Sequence, residues 1–330
     1  VREALAAELG TTAKNLVCVP NATTGLNIVA QSLPLQPGDQ ILTPDHEYSA
    51  LEKTWAYVAR RTGAEIVRVT IPLPLDSEAA FTQALLAGMT ERTRVLFLSH
   101  ITSPTALRFP LEPIIAEARK RGIWTVVDGA HAPGQIKLGL DDLGADFYAG
   151  NCHKWMMAPK GAAFLHARPE GQSLLNPLVI SHGWTALSEA TGPFGNAPFV
   201  DRLEVQGTSD PAAYLSIHAA LRFRQEQNWD VVTQDCQKLA QQTAVRIQDR
   251  TGFSALSSPQ FCAPQMVAMP IPPCDPAALH ATLFERYGIE IPVHRWQDIC
   301  IARLSVQGYN APEQMDHLVQ ALSESLSLPA

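Results

Sequence analysis

Short apolar segments alternate with helical patterns through the first half of the chain. The segments "QILTPD", "AEIVRVTI", "RVLFLSHITS" and "IWTVVDGAHA" are mainly apolar until polar residues take over, and a helical pattern separates each from the next. Strands that are apolar on both faces and joined by helices are typical of a parallel sheet covered by helices on both sides. The sequence therefore predicts an α/β fold with a mostly parallel central sheet between helices.

Proline and glycine mark the limits of two of these helices. The segment "ALEKTWAYVARRTG" is predicted to end at Gly63, and "LEPIIAEARKRG" has Pro113 near its start and Gly122 at its end. Proline suits the first turn of a helix, where its missing N–H is not needed, and glycine suits the residue after the last turn. Both helices are therefore predicted with defined ends.

The second half of the chain has a different pattern. A long helix is predicted from about Pro211 to Ala244, and the segments "FCAPQMVAMPI", "HATLFERYGIEI" and "ICIARLSV" follow it before a final helix, "APEQMDHLVQALSESL". This mixture is typical of a small α+β domain. We therefore expect two domains, a large one over residues 1–235 and a small C-terminal one over residues 236–330.

Composition excludes several classes of function. The 330 residues are 46% hydrophobic and 17% charged, with 25 Lys and Arg against 32 Asp and Glu. No basic stripe is present, which argues against a nucleic-acid partner, and no apolar run reaches the ~18 residues of a membrane span. The six cysteines lack zinc-ligand spacing, so no metal is expected. Their apolar neighbours favour reduced thiols in a cytoplasmic protein.

Polar residues at the ends of the predicted strands form the candidate site. Ligands of open parallel sheets bind beyond the carboxyl ends of the strands, which selects "SHITSPT", "DGAHAPG" and "GNCHKW". Asp128 is a strand-end carboxylate that needs a partner, although an Asp before a Gly also suits a turn. Lys154 is either a solvated lysine or a buried one that forms a Schiff base. A lysine of this kind and an aspartate on the pyridine nitrogen together hold pyridoxal phosphate in many enzymes.

The segment "PNATTGLN", residues 20 to 27, is a candidate phosphate site. Small and hydroxyl residues lead into a helical pattern from about Thr24. Backbone N–H groups at a helix start, with threonine hydroxyls beside them, suit a phosphate group. A helix cap that binds no ligand is the alternative.

Taken together, these motifs resemble a known family. Their order and spacing, from about residue 12 to 325, are similar to those of the class V aminotransferase-like enzymes, which are pyridoxal-phosphate-dependent proteins of fold type I. The segments "HITSPT" and "GTSDPAAYL" most resemble the isopenicillin N epimerase-like branch, and hercynylcysteine sulfoxide lyases are close relatives. The motifs are "NATTGLN", "DHEYSALEKTW", "SHITSPTALRFP", "VVDGAHAPG", "GADFYAGNCHKW", "QGTSDPAAYL" and "RLSVQGYN".

The resemblance implies a role for each matching residue. Lys154 would bond to the cofactor, pyridoxal 5'-phosphate, and Asp128 would hold its pyridine nitrogen. His131 would lie against the phenolic oxygen with Ser103 nearby, and Arg303 would bind the substrate carboxylate. The phosphate would be bound by Ala22, Thr23, Asn151 and His153, and the phosphate of the partner subunit by Gly207 and Thr208.

The ring-stacking residue has two candidates. Relatives stack a ring on the cofactor from an "E-H-x-A" segment, and here "EYSA" fits it and places Tyr48 on the ring, with His46 as the alternative.

The sequence departs from the pattern of the family in two places. Ser209 replaces an arginine that relatives carry in this motif, and the long N-terminal arm of the family is expected to be missing, because the chain begins at Val1 inside a helical pattern.

The function implied is that of a pyridoxal-phosphate enzyme acting on an amino acid. Lys154 would remove the Cα proton from an external aldimine, and Tyr48 would supply a proton from the opposite face in an epimerisation. An aminotransferase or a C–S lyase would use the same residues. A homodimer with shared sites is expected, and a catalytically silent scaffold is the alternative from another class.

Overall fold

The computed structural model describes residues 1–186 and 189–329. The chain divides into two compact units, and each contains more than one segment of sequence. The first unit comprises Val1–Ile71, Phe81–Ile101 and Pro110–Glu226, and the second comprises Pro72–Ala80, Thr102–Phe109 and Gln227–Ala330. A domain boundary between residues 235 and 236 remains a prediction.

A seven-stranded sheet forms the centre of the first unit. Its strands are β1 Leu16–Val19, β2 Gln40–Pro44, β3 Glu65–Val69, β4 Thr93–Ser99, β5 Trp124–Gly129, β6 Phe147–Asn151 and β7 Ala163–Ala167. The order across the sheet is β1-β7-β6-β5-β4-β2-β3. The five strands from β6 to β3 run parallel, while β7 is antiparallel to both of its neighbours. The predicted mostly parallel sheet is confirmed.

Helices connect these strands as the apolar pattern predicts. Those up to the end of the first unit are α1 Arg2–Glu8, α2 Ala22–Ser32, α3 Ser49–Thr62, α4 Glu78–Gly88, α5 Glu112–Lys120, α6 Leu140–Leu143, α7 Pro169–Gln172, α8 Pro198–Glu204, α9 Ala212–Leu215 and α10 Ile217–Glu226. Helix α3 ends before Gly63 as predicted, and α5 carries its proline in the first turn. Helix α2 starts two residues before Thr24, because the Asn21 side chain caps its N-terminus.

Helix α2 packs tightly on the sheet through Gly25. A β-carbon at this position would lie 3.1 Å from Cβ of Ala149 in β6 and 3.4 Å from Cβ of Leu165 in β7. The fully buried side chains of Leu26 and Val29 join the hydrophobic core of the unit on the same side. The close approach therefore fixes the N-terminus of α2 relative to the strand that precedes Lys154.

The second unit contains a three-stranded antiparallel sheet and three helices. The strands are β8 Met266–Ile271, β9 Val293–Trp296 and β10 Ile299–Ser305 in the order β8-β10-β9, and the helices are α11 Trp229–Thr251, α12 Pro276–Tyr287 and α13 Pro312–Leu326. Buried residues of the strands and helices form its own hydrophobic core. The structure therefore contains the predicted small α+β arrangement.

The helix predicted from about Pro211 to Ala244 is a set of three shorter helices. Helix α10 ends at Glu226, and Asn228 has a left-handed backbone (φ 47°) before α11 begins. The prediction of one continuous helix was wrong here, because asparagine tolerates the left-handed conformation that interrupts a helix. Within the described residues, no helix is both long and apolar enough to cross a membrane.

Candidate active site

The candidate site lies where three neighbouring parallel strands end. In the sheet register, Ser99 of β4 pairs with Asp128 of β5, and Gly129 of β5 pairs with Gly150 of β6. The residues that follow β5 and β6 carry His131 and Lys154. The parallel topology therefore brings three separate sequence motifs to one edge of the sheet, as the strand-end rule predicts.

Asp128 is a buried carboxylate at the end of β5. Its side chain is 4% exposed, and its Oδ1 atom accepts a hydrogen bond from the Ala130 N–H at 2.9 Å. Burial raises the pKa of Asp128, and the Ala130 N–H and the charge of Lys154 partly offset this effect. A cationic group beside Asp128 would therefore stabilise its ionised form.

Lys154 lies close to His131 in the loop after β6. Its Nζ atom is 3.0 Å from Nε2 of His131. The other ring nitrogen of His131, Nδ1, accepts a hydrogen bond from the indole N–H of Trp155 at 3.3 Å. A lysine amine, an imidazole and an indole therefore form one hydrogen-bonded group, of which sequence analysis predicted the first two members.

The start of α2 lies beside the end of β6. The Ala22 N–H donates to Oδ1 of Asn151 at 2.8 Å, while the Asn21 side chain accepts from the Thr24 N–H. Helix geometry leaves the Thr23 N–H without a partner inside α2. The predicted phosphate-binding residues Ala22 and Asn151 thus bond to each other, and Thr23 presents the amide and hydroxyl available for an anion.

His153, immediately before Lys154, has one ring nitrogen engaged. Because a carbonyl oxygen only accepts, Nδ1 of His153 donates to the Ala162 oxygen, at 3.0 Å. Partial burial lowers the pKa of His153, and the neighbouring charge of Lys154 acts in the same direction. His153 therefore offers its Nε2 atom to a ligand.

The two candidates for ring stacking have opposite environments. His46 is fully buried, and burial lowers its pKa to about 4 against the raising effect of Asp45. Tyr48 is 42% exposed at the N-cap position of α3. A ring that stacks on a ligand needs an open face, so the structure favours Tyr48 as the proposed stacking residue.

Sequence analysis missed Glu47, which lies between these two residues. Its carboxylate is buried and accepts from both the backbone N–H (2.9 Å) and the hydroxyl (2.6 Å) of Ser99. Burial raises the pKa of Glu47 to about 8, and the charges of Asp128 and Glu52 add to the shift while the Ser99 hydrogen bonds oppose it. A glutamate three residues after the end of β2 was the available signal.

In the second unit, Ser103 and Arg303 lie together. Nη1 of Arg303 in β10 donates to the Ser103 carbonyl and to the Ser103 hydroxyl, the latter at 3.1 Å. Burial lowers the pKa of Arg303, and among the described residues its buried Nε atom has no hydrogen-bond partner. A buried guanidinium with an unsatisfied donor is suited to bind an anion such as a carboxylate. His294 also bonds this loop, through the Pro104 carbonyl at 2.9 Å.

Gly207 and Thr208 lie on the surface of the first unit. Both residues are exposed in the loop between α8 and α9. Their predicted role toward the phosphate of a partner subunit stays a prediction.

Comparison with known proteins gives the family. The family model described as "Aminotransferase class-V" matches residues 1–318. The chain belongs to the class V aminotransferase family. Its members are pyridoxal-phosphate enzymes, and the fold is that of fold type I.

The chain is similar to several known proteins. The chain is 38% identical to isopenicillin N epimerase of Streptomyces clavuligerus over 331 residues, which is 97% of this chain and 82% of that protein. It is 27% identical to a probable chloroplastic L-cysteine desulfhydrase of Arabidopsis thaliana, over 92% of this chain and 69% of that one. A solved structure of a C-DES variant, with glycine covalently linked to pyridoxal phosphate, has a TM-score of 0.80 and 24% identity, covering 98% of this chain and 84% of that chain.

The residues of this member of the class V aminotransferase family fit the cofactor of the family. The buried carboxylate of Asp128 suits a protonated pyridine nitrogen. Lys154 supplies an amine, His131 faces that amine, and the start of α2 suits a phosphate. The set of donors, acceptors and charges therefore matches the aldehyde, ring nitrogen and phosphate of pyridoxal 5'-phosphate.

Proposed function

We propose that this chain is a pyridoxal-phosphate-dependent enzyme that acts on an amino acid by removing its Cα proton, as an isopenicillin N epimerase-like protein. The observation that carries the proposal is the contact between Lys154 and His131 at the sheet edge that holds Asp128. When bound, the cofactor supplies an electron-withdrawing ring that makes the Cα–H of an attached amino acid acidic.

Each residue of the chain has a separate task in this proposal. Lys154 would hold the cofactor through its amine and would accept the Cα proton of the substrate. Asp128 binds the protonated pyridine nitrogen, since a buried carboxylate stabilises a cation strongly. Ser103 and His131 bind the phenolic oxygen. The phosphate would be bound by Thr23 and His153 at the helix start that Ala22 and Asn151 form, where the Ala22 N–H donates to the Asn151 side chain.

Two further residues act on the substrate. Arg303 binds the substrate carboxylate, which its buried, unsatisfied Nε supports. Tyr48 would lie against the cofactor ring and would donate a proton to the opposite face of Cα. Inversion at Cα requires such a second acid, because Lys154 acts from one face only.

A C–S lyase is the second candidate. The desulfhydrase relative supports it, since a leaving group at Cβ would depart after the same first proton transfer. An aminotransferase would instead return the proton to the cofactor. Screening amino acids for inversion, keto acid and sulfide would separate the three outcomes.

We further propose a homodimer in the cytoplasm. Gly207 and Thr208 of one subunit would bind the phosphate in the other, and their exposure supports this. All six cysteines are free thiols, which is usual in a reducing compartment.

Borohydride trapping tests the proposed function. Pyridoxal phosphate should form a reducible adduct that peptide mass spectrometry locates at Lys154, and Lys154→Ala should abolish it while leaving the fold intact. Exchange of the substrate Cα proton with solvent deuterium should also fall by at least ~100-fold, as expected on loss of a general base. Lys160→Ala is the matched control, since Lys160 is a nearby exposed lysine.

An adduct that persists in Lys154→Ala would show that another lysine binds the cofactor. No adduct in the unaltered protein would favour the silent scaffold. Turnover with the Cα proton fully retained would contradict the mechanism.

A further inference from the structure

Both ring nitrogens of His131 face a hydrogen-bonding partner. The indole N–H of Trp155 points at Nδ1 at 3.3 Å, and the amine of Lys154 lies 3.0 Å from Nε2. Trp155 and His131 are each only 8% exposed. The position of the proton on His131 therefore determines whether Trp155 and Lys154 can each form a hydrogen bond with the ring.

The indole limits the choice, because it is a donor only. A proton on Nδ1 would place two N–H groups against each other, which disfavours both the Nδ1–H tautomer and the imidazolium of His131. The remaining form carries its proton on Nε2 and donates to the neighbour there. That neighbour is Nζ of Lys154, which accepts a hydrogen bond only as an uncharged amine, since an ammonium group has no lone pair.

The backbone around Trp155 is held independently. Arg224 of α10 donates to the Trp155 carbonyl at 3.0 Å and to the Gly134 carbonyl at 3.1 Å. Gly134 has φ +88°, and a β-carbon there would lie 2.5 Å from the carbonyl carbon of Trp155. The backbones of the loops that carry His131 and Lys154 thus lie in close contact, and Arg224 bonds to both of them.

We propose that Trp155 is a positioning residue that fixes the tautomer of His131, so that the imidazole donates from Nε2 and favours the uncharged amine form of Lys154. The catalytic importance of an uncharged Lys154 rests on the proposed function, whereas the tautomer of His131 is a property of the protein alone. An uncharged amine is the form that attacks an aldehyde. Nζ bonds to the carbonyl carbon, gives up its two protons, and the carbonyl oxygen leaves as water.

Other charges near Lys154 act on it as well. Asp128 interacts with its charge and stabilises the ammonium form, while burial lowers the pKa of His153, so this ring adds less positive charge beside Lys154. The Trp155–His131 pair favours the uncharged amine of Lys154 and so acts against the effect of Asp128. Loss of the indole N–H should therefore shift Lys154 toward the ammonium form.

Nitrogen-15 NMR of the cofactor-free protein tests the tautomer directly. Long-range proton–nitrogen correlations distinguish the two neutral forms, and His131→Asn identifies the signals of His131. We expect a single Nε2–H form in the unaltered protein and its loss in Trp155→Phe, which keeps an aromatic ring without the N–H. Trp55→Phe is the matched control, because Trp55 is also buried and its indole N–H has no partner among the described residues.

The rate of adduct formation with pyridoxal phosphate gives a second readout. At neutral pH the Trp155→Phe protein should form the borohydride-trapped Lys154 adduct up to roughly tenfold more slowly, the scale of one hydrogen bond. Raising the pH should restore the rate, because hydroxide then neutralises the amine. A rate that stays low at high pH would point to a structural defect instead.

The outcomes separate the two proposals. An Nδ1–H or imidazolium His131 in the unaltered protein would overturn the role of Trp155 even if Trp155→Phe failed to fold, as would an unchanged tautomer in a folded Trp155→Phe. A fixed Nε2–H tautomer without any trapped lysine would leave the role of Trp155 in setting the tautomer intact and contradict the proposed function.

Discussion

At the scale of single residues, Glu47 is the side chain whose protonation most affects the folded state. Its pKa of about 8 in the folded protein compares with an ordinary value of 4.5. The carboxyl group is therefore protonated at neutral pH, and its Oε2 atom accepts a hydrogen bond from the Ser99 hydroxyl at 2.6 Å. A neutral Glu47 also spares Asp128 a second negative charge nearby, which helps Asp128 to stay ionised.

This shift predicts a pH dependence of stability. Because the folded protein binds the Glu47 proton more tightly than the unfolded chain, the contribution is complete below pH 4.5 and is lost as the pH rises toward 8. Between pH 4.5 and 8, titration of Glu47 should lower the free energy of unfolding of the unaltered protein by about 1.4 kcal/mol per pH unit. In Glu47→Gln this decrease should be absent. Urea denaturation at a series of pH values measures it.

Glu52→Gln is the control for this prediction. Glu52 is a near neighbour on α3 with a partly exposed side chain in a surface ion pair with Arg68. Its loss should keep the slope and lower the upper end of the pH window only slightly, because the Glu52 charge makes the smallest contribution to the raised pKa of Glu47. An identical slope in Glu47→Gln and in the unaltered protein would contradict a buried, protonated Glu47.

At the scale of elements, the position of α2 depends on its contact with the sheet. Gly25 leaves only 3.1 Å between its β-carbon position and Cβ of Ala149, and the Ala22 N–H bonds to the Asn151 side chain. The same helix therefore packs against β6 and carries the amide of Thr23. Packing and ligand binding are coupled through one rigid helix.

A larger residue at Gly25 should disturb both properties. Gly25→Val is expected to lower the free energy of unfolding by about 1–3 kcal/mol, because the extra methyl groups force α2 away from the sheet. Affinity for pyridoxal phosphate should fall too, as measured by equilibrium titration. Gln31→Val is the control, because it also places a β-branched residue in α2, on the partly exposed face of the helix. Equal decreases in stability and in affinity in the two variants would show that packing at Gly25 is not decisive.

At the scale of the whole molecule, the first unit exposes several large apolar side chains. Large apolar side chains are exposed at Leu178, Val179, Ile180, Trp184, Phe194, Leu215 and Phe223. Exposed apolar groups in such numbers are typical of interaction sites. The exposed loop with Gly207 and Thr208 follows α8 in the same unit.

The proposed shared site predicts complementation between two defective subunits. Thr208→Ala should weaken binding of pyridoxal phosphate by at least about tenfold, the scale of a hydrogen bond to a charged group. A hybrid dimer of one Lys154→Ala and one Thr208→Ala subunit, isolated with two affinity tags, should regain one site of full affinity. If Thr208 served its own subunit, no site would recover, and a monomer with full affinity in sedimentation would exclude sharing.

The sequence by itself determined the type and order of the main elements and the motifs of the site. Alternating apolar segments predict the parallel strands, because only a sheet buried on both faces needs such residues, and the strand-end rule points to Asp128 and Lys154. The long helix from Pro211 was predicted wrongly, since Asn228 gives too weak a local signal for a break.

Only the tertiary structure decided which of these residues meet and in what state. The pairing of Ser99 with Asp128, the burial of Glu47 and the indole of Trp155 on His131 all join residues that lie on different strands or loops. A local sequence pattern predicts that a side chain is near a strand end. The proton it holds depends on desolvation and on donors brought from elsewhere in the chain, and those are set by the packed sheet.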